Sequence, residues 1–462
     1  MTKTRPQTFV GPALFTLVLH LGCGDGSHAQ VPDQKAVDLG AGVPAAVDPA
    51  PTIPTPVPAG APPVAADPGL PPASDPGQPP AVPPGTPVMA PPAPPAASGP
   101  HTSVRSIPLY DDNKVVDFYV DFAPGDWDKM LAPGDAKEDA RWVHCSFKFE
   151  QEVFPDAACR RKGNVTDWPF ERKPQFLVRF NQWNPKGRFR GLRRLNFESF
   201  DALEAPVRDR IGMFAMRKAG IDAPRVNHAR VFKDGQQLGL YMNVETIDKE
   251  FLEDHYGPAG SNGNLWKGGY EIHTNETNTD QRKLQALNGL VDHEPLGVDH
   301  SQFAQSLAPL MDVPEVLREM AVETALVVSD NFSNGSTNFY YYEHPTRGFV
   351  ALPWDLDSII TTSPADSDPF AFWAGSMPNK LREIINETPE LRAAYVAALV
   401  EVRDAILALL PAEVDRVCAQ IRPFMLEEPT RAASFAKYEE ECAQIKTSIA
   451  ARSQALTRLL GR

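Results

Sequence analysis

An α+β fold, β-rich first and helix-rich later, is what this sequence predicts for residues 104–462. Three observations carry that expectation. As far as Glu245 the chain runs in short alternating apolar stretches broken by turn signals. From Met377 almost to the end, apolar and charged residues recur at helical spacing. Before residue 104 neither pattern exists. Residues 31–100 hold 23 of the chain's 47 prolines among Ala, Gly and Val, and all seven Trp lie after residue 104. Such a composition repeats no apolar face, so residues 24–103 are expected to form an extended, disordered linker.

The elements follow in chain order. Lys3, Arg5 and the apolar run Val10–Leu21 have the form of a signal peptide over residues 1–23, too short for a permanent membrane span. Leu21-Gly22-Cys23 resembles a bacterial lipoprotein cleavage site, which would leave a lipid on Cys23; cleavage elsewhere would discard that residue. Residues 104–120 read as strand. WVHCSFKFEQEVF reads as strand with Val143, Cys145, Phe147 and Phe149 on one face, and KPQFLVRF as another. APVRDRIGMFAMRKAGI is a helix stopped by Gly220. HARVFKDGQQLGLYMNVE is a hairpin about Asp234-Gly235, after which Thr246 opens a helix. VPEVLREMAVETALVVS is a helix running into Asp330, and NFYYYEH with GFVALPWD forms a second hairpin.

Net charge of −14 argues against a nucleic-acid groove. The exported context gives the even set Cys145, Cys159, Cys418 and Cys442 a meaning. Local pairing, Cys145–Cys159 and Cys418–Cys442, suits a strand pair and a helix pair. None has the spacing of a zinc site.

The chemistry concentrates in VSDNFSNGSTNFYYYEHPTRGFVALPWDLDSII, residues 328–360. Phosphoryl transfer needs hard oxygen ligands for a divalent ion and a separate carboxylate beside the attacking hydroxyl. Asp330, Asn338 and then Asp355 and Asp357 beyond a hairpin supply those groups in that order. Asp330 and Asn338 are eight apart, longer than the Asp-x-x-x-x-Asn of ordinary kinase loops, and no HRD or DFG is present. The same residue types serve equally as helix caps and turn formers.

Several segments in order resemble the CotH kinase family, atypical relatives of protein kinases. These are CRRKGN with Arg160, Lys162, Gly163 and Asn164; ERKPQFLVRF with Lys173, where Gln175 replaces the usual Ser; GLRRLNFESF followed by Arg208; GLYMNVETIDKEFLEDHYG; GNLWKGG; and the 328–360 stretch itself. The resemblance implies a kinase-like fold with a β-rich N-terminal lobe over about 104–270 and a helix-rich C-terminal lobe over about 271–462. It implies transfer of phosphate from ATP to protein Ser or Thr with Mg or Mn. It makes Asp330 the catalytic acidic residue and Asp355, with Asn338 and Asp357, the metal ligands. Lys173 becomes the phosphate-neutralising lysine, with Arg160, Lys162, Glu245 and Lys267 on the nucleotide side. The whole would be an exported envelope or surface protein: a lipid-anchored kinase acting on a protein partner, or a non-catalytic binding or envelope-organising protein on the same scaffold. Residues 361–372, with DPFAFWAG close behind PWDLD, are expected to form a mobile cover.

Overall fold

Alternation of apolar residues closes the first half of the folded chain on itself. In the computed structural model, which describes residues 106–132, 141–162, 173–199, 206–277, 280–335, 337–360, 365–371, 379–429 and 435–461, seven strands form a closed barrel. These are β1 (Val116–Phe122), β2 (Val143–Phe149), β3 (Glu152–Arg161), β4 (Phe176–Arg179), β5 (Arg194–Glu198), β6 (Val226–Lys233) and β7 (Gln236–Val244), in the order β1-β2-β3-β4-β5-β7-β6. Only the β1–β6 closure is parallel. Phe118, Phe147, Phe149, Phe176, Phe180 and Phe197 fill the interior, each at most 2% exposed. A buried Phe contributes roughly 1.5–3 kcal/mol, so this aromatic interior is a principal source of barrel stability. The signal peptide, Cys23 and the linker lie outside the described residues.

Helical spacing produces the rest. α1 (Asp126–Leu131) follows β1, and α2 (Arg208–Lys218) follows β5. After the barrel come α3 (Lys249–Gly260), β8 (Leu265–Lys267), β9 (Glu271–Ile272), α4 (Arg282–His293), α5 (Ser301–Leu307) and α6 (Val313–Ala325). The hairpin β10 (Phe339–His344) and β11 (Gly348–Pro353) joins β8 and β9 in a sheet of order β11-β10-β8-β9. α7 (Lys380–Glu387), α8 (Pro389–Glu401), α9 (Leu410–Leu426) and α10 (Phe435–Leu460) complete the described chain. Their apolar faces join α2, α6, β10 and β11 in a second core, which also takes Val226, Leu240, Met242 and Val244 from the barrel wall. The fold is α+β. Disulfides tie Cys145 to Cys159 across β2 and β3, and Cys418 to Cys442 across α9 and α10.

Local details depart from the sequence reading. Residues 107–110 form a 3-10 turn, and the strand expected over 104–120 begins only at Val116. WVHCSFKFEQEVF is not one strand: the chain reverses after Phe149, with Glu150 at φ 54°, so β2 and β3 pair as a hairpin. No Gly, Asn or Pro announces that turn. The cap of α3 is Asp248 rather than Thr246, its carboxylate accepting from the N–H groups of Glu250 and Phe251. α4 and α5 carry no strong sequence signal. The Asp234-Gly235 turn forms as expected, both residues at positive φ.

α2 is locked to the barrel by a buried histidine. Arg210 donates to His228 Nδ1 at 2.8 Å, so the other ring nitrogen carries the hydrogen and donates to the Pro206 carbonyl at 2.6 Å. Burial and then the Arg210 charge hold His228 down at about 3. The unfolded chain therefore takes up a proton below about pH 6.5 that the folded chain refuses. That stability is complete above this pH and is lost as pH falls, at about 1.4 kcal/mol per unit. In urea titrations, the stability advantage of the wild type over His228→Gln should shrink by about 1.5 kcal/mol between pH 6.5 and 5. Comparing the two proteins cancels the acidic groups whose raised pKa values act in the opposite sense. An unchanged difference would show that His228 is already charged in the fold.

Candidate functional site

The second hairpin explains how residues 25 positions apart meet. Its register pairs Phe339 with Pro353 and Tyr340 with Leu352. Asn338 therefore precedes one strand, and Trp354-Asp355 leaves the other, at the same end of the ladder. On the other side of β10, Tyr340 pairs with Lys267. Lys267 is delivered to that end too.

Asp330 reaches the same place because α6 stops early. Val327 takes a left-handed conformation (φ 51°), and the Leu326 carbonyl accepts from Ile360 N at 3.0 Å, tying the two loops together. Below Asp330 the loop is held by buried polar groups. Asn331 caps a short turn by accepting from Asn334 N at 3.1 Å, while the Asn334 amide donates to the Val328 carbonyl at 2.7 Å. Glu323 of α6 accepts from Ser333 N at 2.9 Å. Asn338 donates to the Asp330 carboxylate at 2.9 Å.

Asp355 is itself at φ 57°, an unusual conformation for a residue with a side chain. The start of α2 secures it: Asp209 accepts from Leu356 N at 2.8 Å, and Arg208 donates to the carbonyls of Ile359 and Ile360 at 2.6 and 2.9 Å.

The electrostatics are those of crowded carboxylates with two lysines. Burial pushes Asp209 up to about 7, with the Asp355 charge adding to it and the Leu356 N–H and Lys162 opposing. Burial likewise raises Asp357 to about 7, reinforced by Asp355, Asp209 and Asp330. Asp355 is raised by burial first; Lys162 and Lys267 pull it down and Asp330 pushes it up. Asp355 and Asp357 are nonetheless exposed residues. Lys162, mostly buried, is lowered to about 7 by burial, with Asp355 and Asp209 opposing. It pairs with Glu198 at the end of β5, which also accepts from Asn196 at 2.8 Å. The Trp354 ring floors the group, with the amines of Lys162 and Lys267 each 5.8 Å from its centroid.

Asp330, Asn338, Asp355, Asp357, Lys162 and Lys267 thus belong to one electrostatic cluster. Two expected residues stand elsewhere, and a third borders the cluster. Lys173, 1% exposed, pairs with Glu428 at 3.2 Å and sits 5.2 Å from the Tyr241 ring centroid. Glu245 is held by Arg225 at 2.9 Å, binding the first core's edge to α3 through Asp254. Arg160, two positions before Lys162, adds its charge to the surroundings of Lys162 at the edge of the cluster and lies over the Trp142 ring at 4.9 Å. Gly163 and Asn164 lie outside the described residues. Two members of the cluster, Glu198 and Asp209, escaped the sequence reading; the only sign of either was an acidic residue beside a segment already singled out, LNFESF and Arg208.

Oxygen donors of this kind fit a divalent cation: several carboxylates are crowded enough to raise each other, with too little positive charge to match. Among the described residues no three His, Cys, Asp or Glu side chains form a ready-made metal cage. Mg²⁺ held by one or two carboxylates, with phosphates and water for the rest, needs none. The expected cover over 361–372 is fastened where the structure describes it. Arg452 donates to the carbonyls of Ala365 and Ser367, and Arg382 to those of Pro369 and Ala371. No helix among the described residues is long and apolar enough to cross a membrane.

A family model described as CotH kinase protein matches residues 160–456. Inner spore coat protein H of Bacillus subtilis (strain 168) is 23% identical over 320 residues, covering 64% of this chain and 84% of that protein.

Proposed function

The chain belongs to the CotH kinase family, and on that premise we propose that it transfers the γ-phosphoryl group of ATP to a Ser or Thr hydroxyl of an exported protein. The observation that carries the reading is the meeting of Asp330, Asn338 and Asp355 with Lys162 and Lys267 at one end of the β10–β11 hairpin. Asp330, exposed and oriented by the Asn338 amide, accepts the proton of the attacking hydroxyl. Lys162, steadied by Glu198, and Lys267 neutralise phosphate oxygens. Asp355, with Asn338 and Asp357, would hold Mg²⁺ or Mn²⁺, whose charge would offset that of the phosphate oxygens. Asp209 keeps the Asp355 loop in its left-handed turn. The two disulfides are compatible with export, and Cys23 would tether the protein to an envelope membrane through the Pro-rich linker.

A ligand that binds the folded state stabilises it. Millimolar ATP with Mn²⁺ should raise the melting temperature by about 2–5 °C, and ATP without the ion by much less. No rise under either condition would favour the non-catalytic scaffold.

A further inference from the structure

We propose that Glu319 and Glu323 share one proton in the core behind the Asp330 loop, and that Glu319 is thereby a positioning residue for Asp330. The shared proton is independent of the kinase reading; only its bearing on Asp330 rests on that reading.

Residues four apart on a helix stand one above the other on the same face, so α6 presents the two side chains together. That face is interior: Glu319 is 0% exposed and Glu323 1%. One oxygen of Glu323 is taken by the loop below Asp330, accepting from Ser333 N at 2.9 Å and from the Ser333 hydroxyl. Its other oxygen and both oxygens of Glu319 are buried without a hydrogen-bond partner. The packing leaves these three oxygens no surface that a water molecule could reach, and a hydrated ion needs more room still.

The groups packed around the pair do not neutralise it. Tyr341 of β10 lies in the field of both carboxyls and Tyr395 of α8 in that of Glu323, but burial keeps both phenols protonated. Arg382 of α7 favours charge on Glu323, while its own N–H groups go to the carbonyls of Ser333, Pro369 and Ala371 and to Asn334. Arg452 of α10 donates to the carbonyls of Thr324, Ala365 and Ser367. Among the described residues the charge that bears on Glu319 is that of Glu323. An ionised carboxylate buried without a donor is strongly disfavoured, and two of them a helical turn apart add repulsion. A single proton removes both difficulties. Carried by Glu319, it neutralises that group. Donated to the unpartnered oxygen of Glu323, it completes that residue's bonding and leaves the charge that holds Ser333. Burial, and then the Glu323 charge, raise Glu319 well above the ordinary carboxyl range, in agreement.

The test compares wild type, E319Q and E319L as full chains. The unfolded chain gives up the Glu319 proton at about pH 4.3 and the folded chain keeps it, so this group makes wild-type stability fall as pH rises above that value. Glutamine carries a permanent donor and no charge. The melting temperature of E319Q should therefore gain on that of the wild type by about 5 °C between about pH 5 and pH 8. With isotope-labelled glutamate, the infrared C=O stretch of a protonated glutamic acid should be present at neutral pH and lost in E319Q. Leucine removes the donor altogether. E319L should transfer phosphate about tenfold more slowly at saturating ATP while keeping its thermal response to ATP and Mn²⁺, and E319Q should restore the rate. A pH-independent difference between E319Q and wild type, or an acid band that E319Q leaves in place, would overturn the shared proton. Full transfer by a folded E319L would overturn the positioning role. If E319L does not fold, kcat against pH makes the same distinction: deprotonation of the pair should lower wild-type kcat at alkaline pH and spare E319Q, and coincident profiles would overturn the role. A wild type without transfer would remove the kinase reading, and the melting and infrared results would still decide the proton.

Discussion

Asp330→Asn should lower phosphoryl transfer from ATP by about 10²–10⁴-fold while leaving the melting temperature unchanged. The side chain is exposed, and its hydrogen bond comes from Asn338. The loop around it is fixed by other groups: Asn331, Asn334, Glu323 and Ser333 make their bonds without it. Asparagine preserves size and removes only the capacity to take a proton. Nucleotide binding, read as the ATP-dependent thermal shift, should therefore persist. Labelled ATP with a generic serine-bearing acceptor measures the transfer. Undiminished transfer by Asp330→Asn would remove Asp330 from the chemistry and leave the hairpin end as a binding site.

The second large effect separates two lysines that look alike in sequence. Lys162→Met should cost transfer about 10²-fold or more, because a phosphate-facing cation is lost, with little loss of stability. Glu198 keeps its bond from Asn196 and some access to water. Lys173→Met should do the reverse. It strands Glu428, whose second oxygen accepts from Leu240 N at 2.6 Å in the interior. Gly239, at φ 148°, leaves the space for this pair, since a Cβ there would collide with the Glu428 carboxylate. Breaking a buried pair from one side costs about 3–5 kcal/mol, so urea unfolding of Lys173→Met should shift strongly, and the fraction still folded should transfer phosphate. A stable but inactive Lys173→Met, beside an active Lys162→Met, would return the phosphate role to Lys173.

Much of the site was legible because its central part is local. Asp330, Asn338, Asp355 and Asp357 lie within one helix-loop-hairpin passage, and a hairpin's register follows from its own turn and alternation. Lys267 was legible through the GNLWKGG segment, although its partnership with β10 was not. The β2–β3 turn stayed hidden because Glu150 and Gln151 lack turn chemistry, and Glu198 and Asp209 because a lone acid in a strand or a first helical turn has many ordinary uses.

By itself the sequence determined the family, the α+β order, the disulfide partners and the hairpin that gathers the oxygen donors, all of which depend on composition or near neighbours. Only the tertiary structure decided which lysine faces them. Lys162 just after β3 and Lys173 just before β4 are eleven positions apart, and alternation cannot say what will pack against either. Glu428, 255 residues beyond Lys173, takes that lysine into the interior, while Glu198 leaves Lys162 at the mouth of the site. Charge pairing across such a span is set by how the elements stack, because burying an ammonium without a partner costs too much to be tolerated.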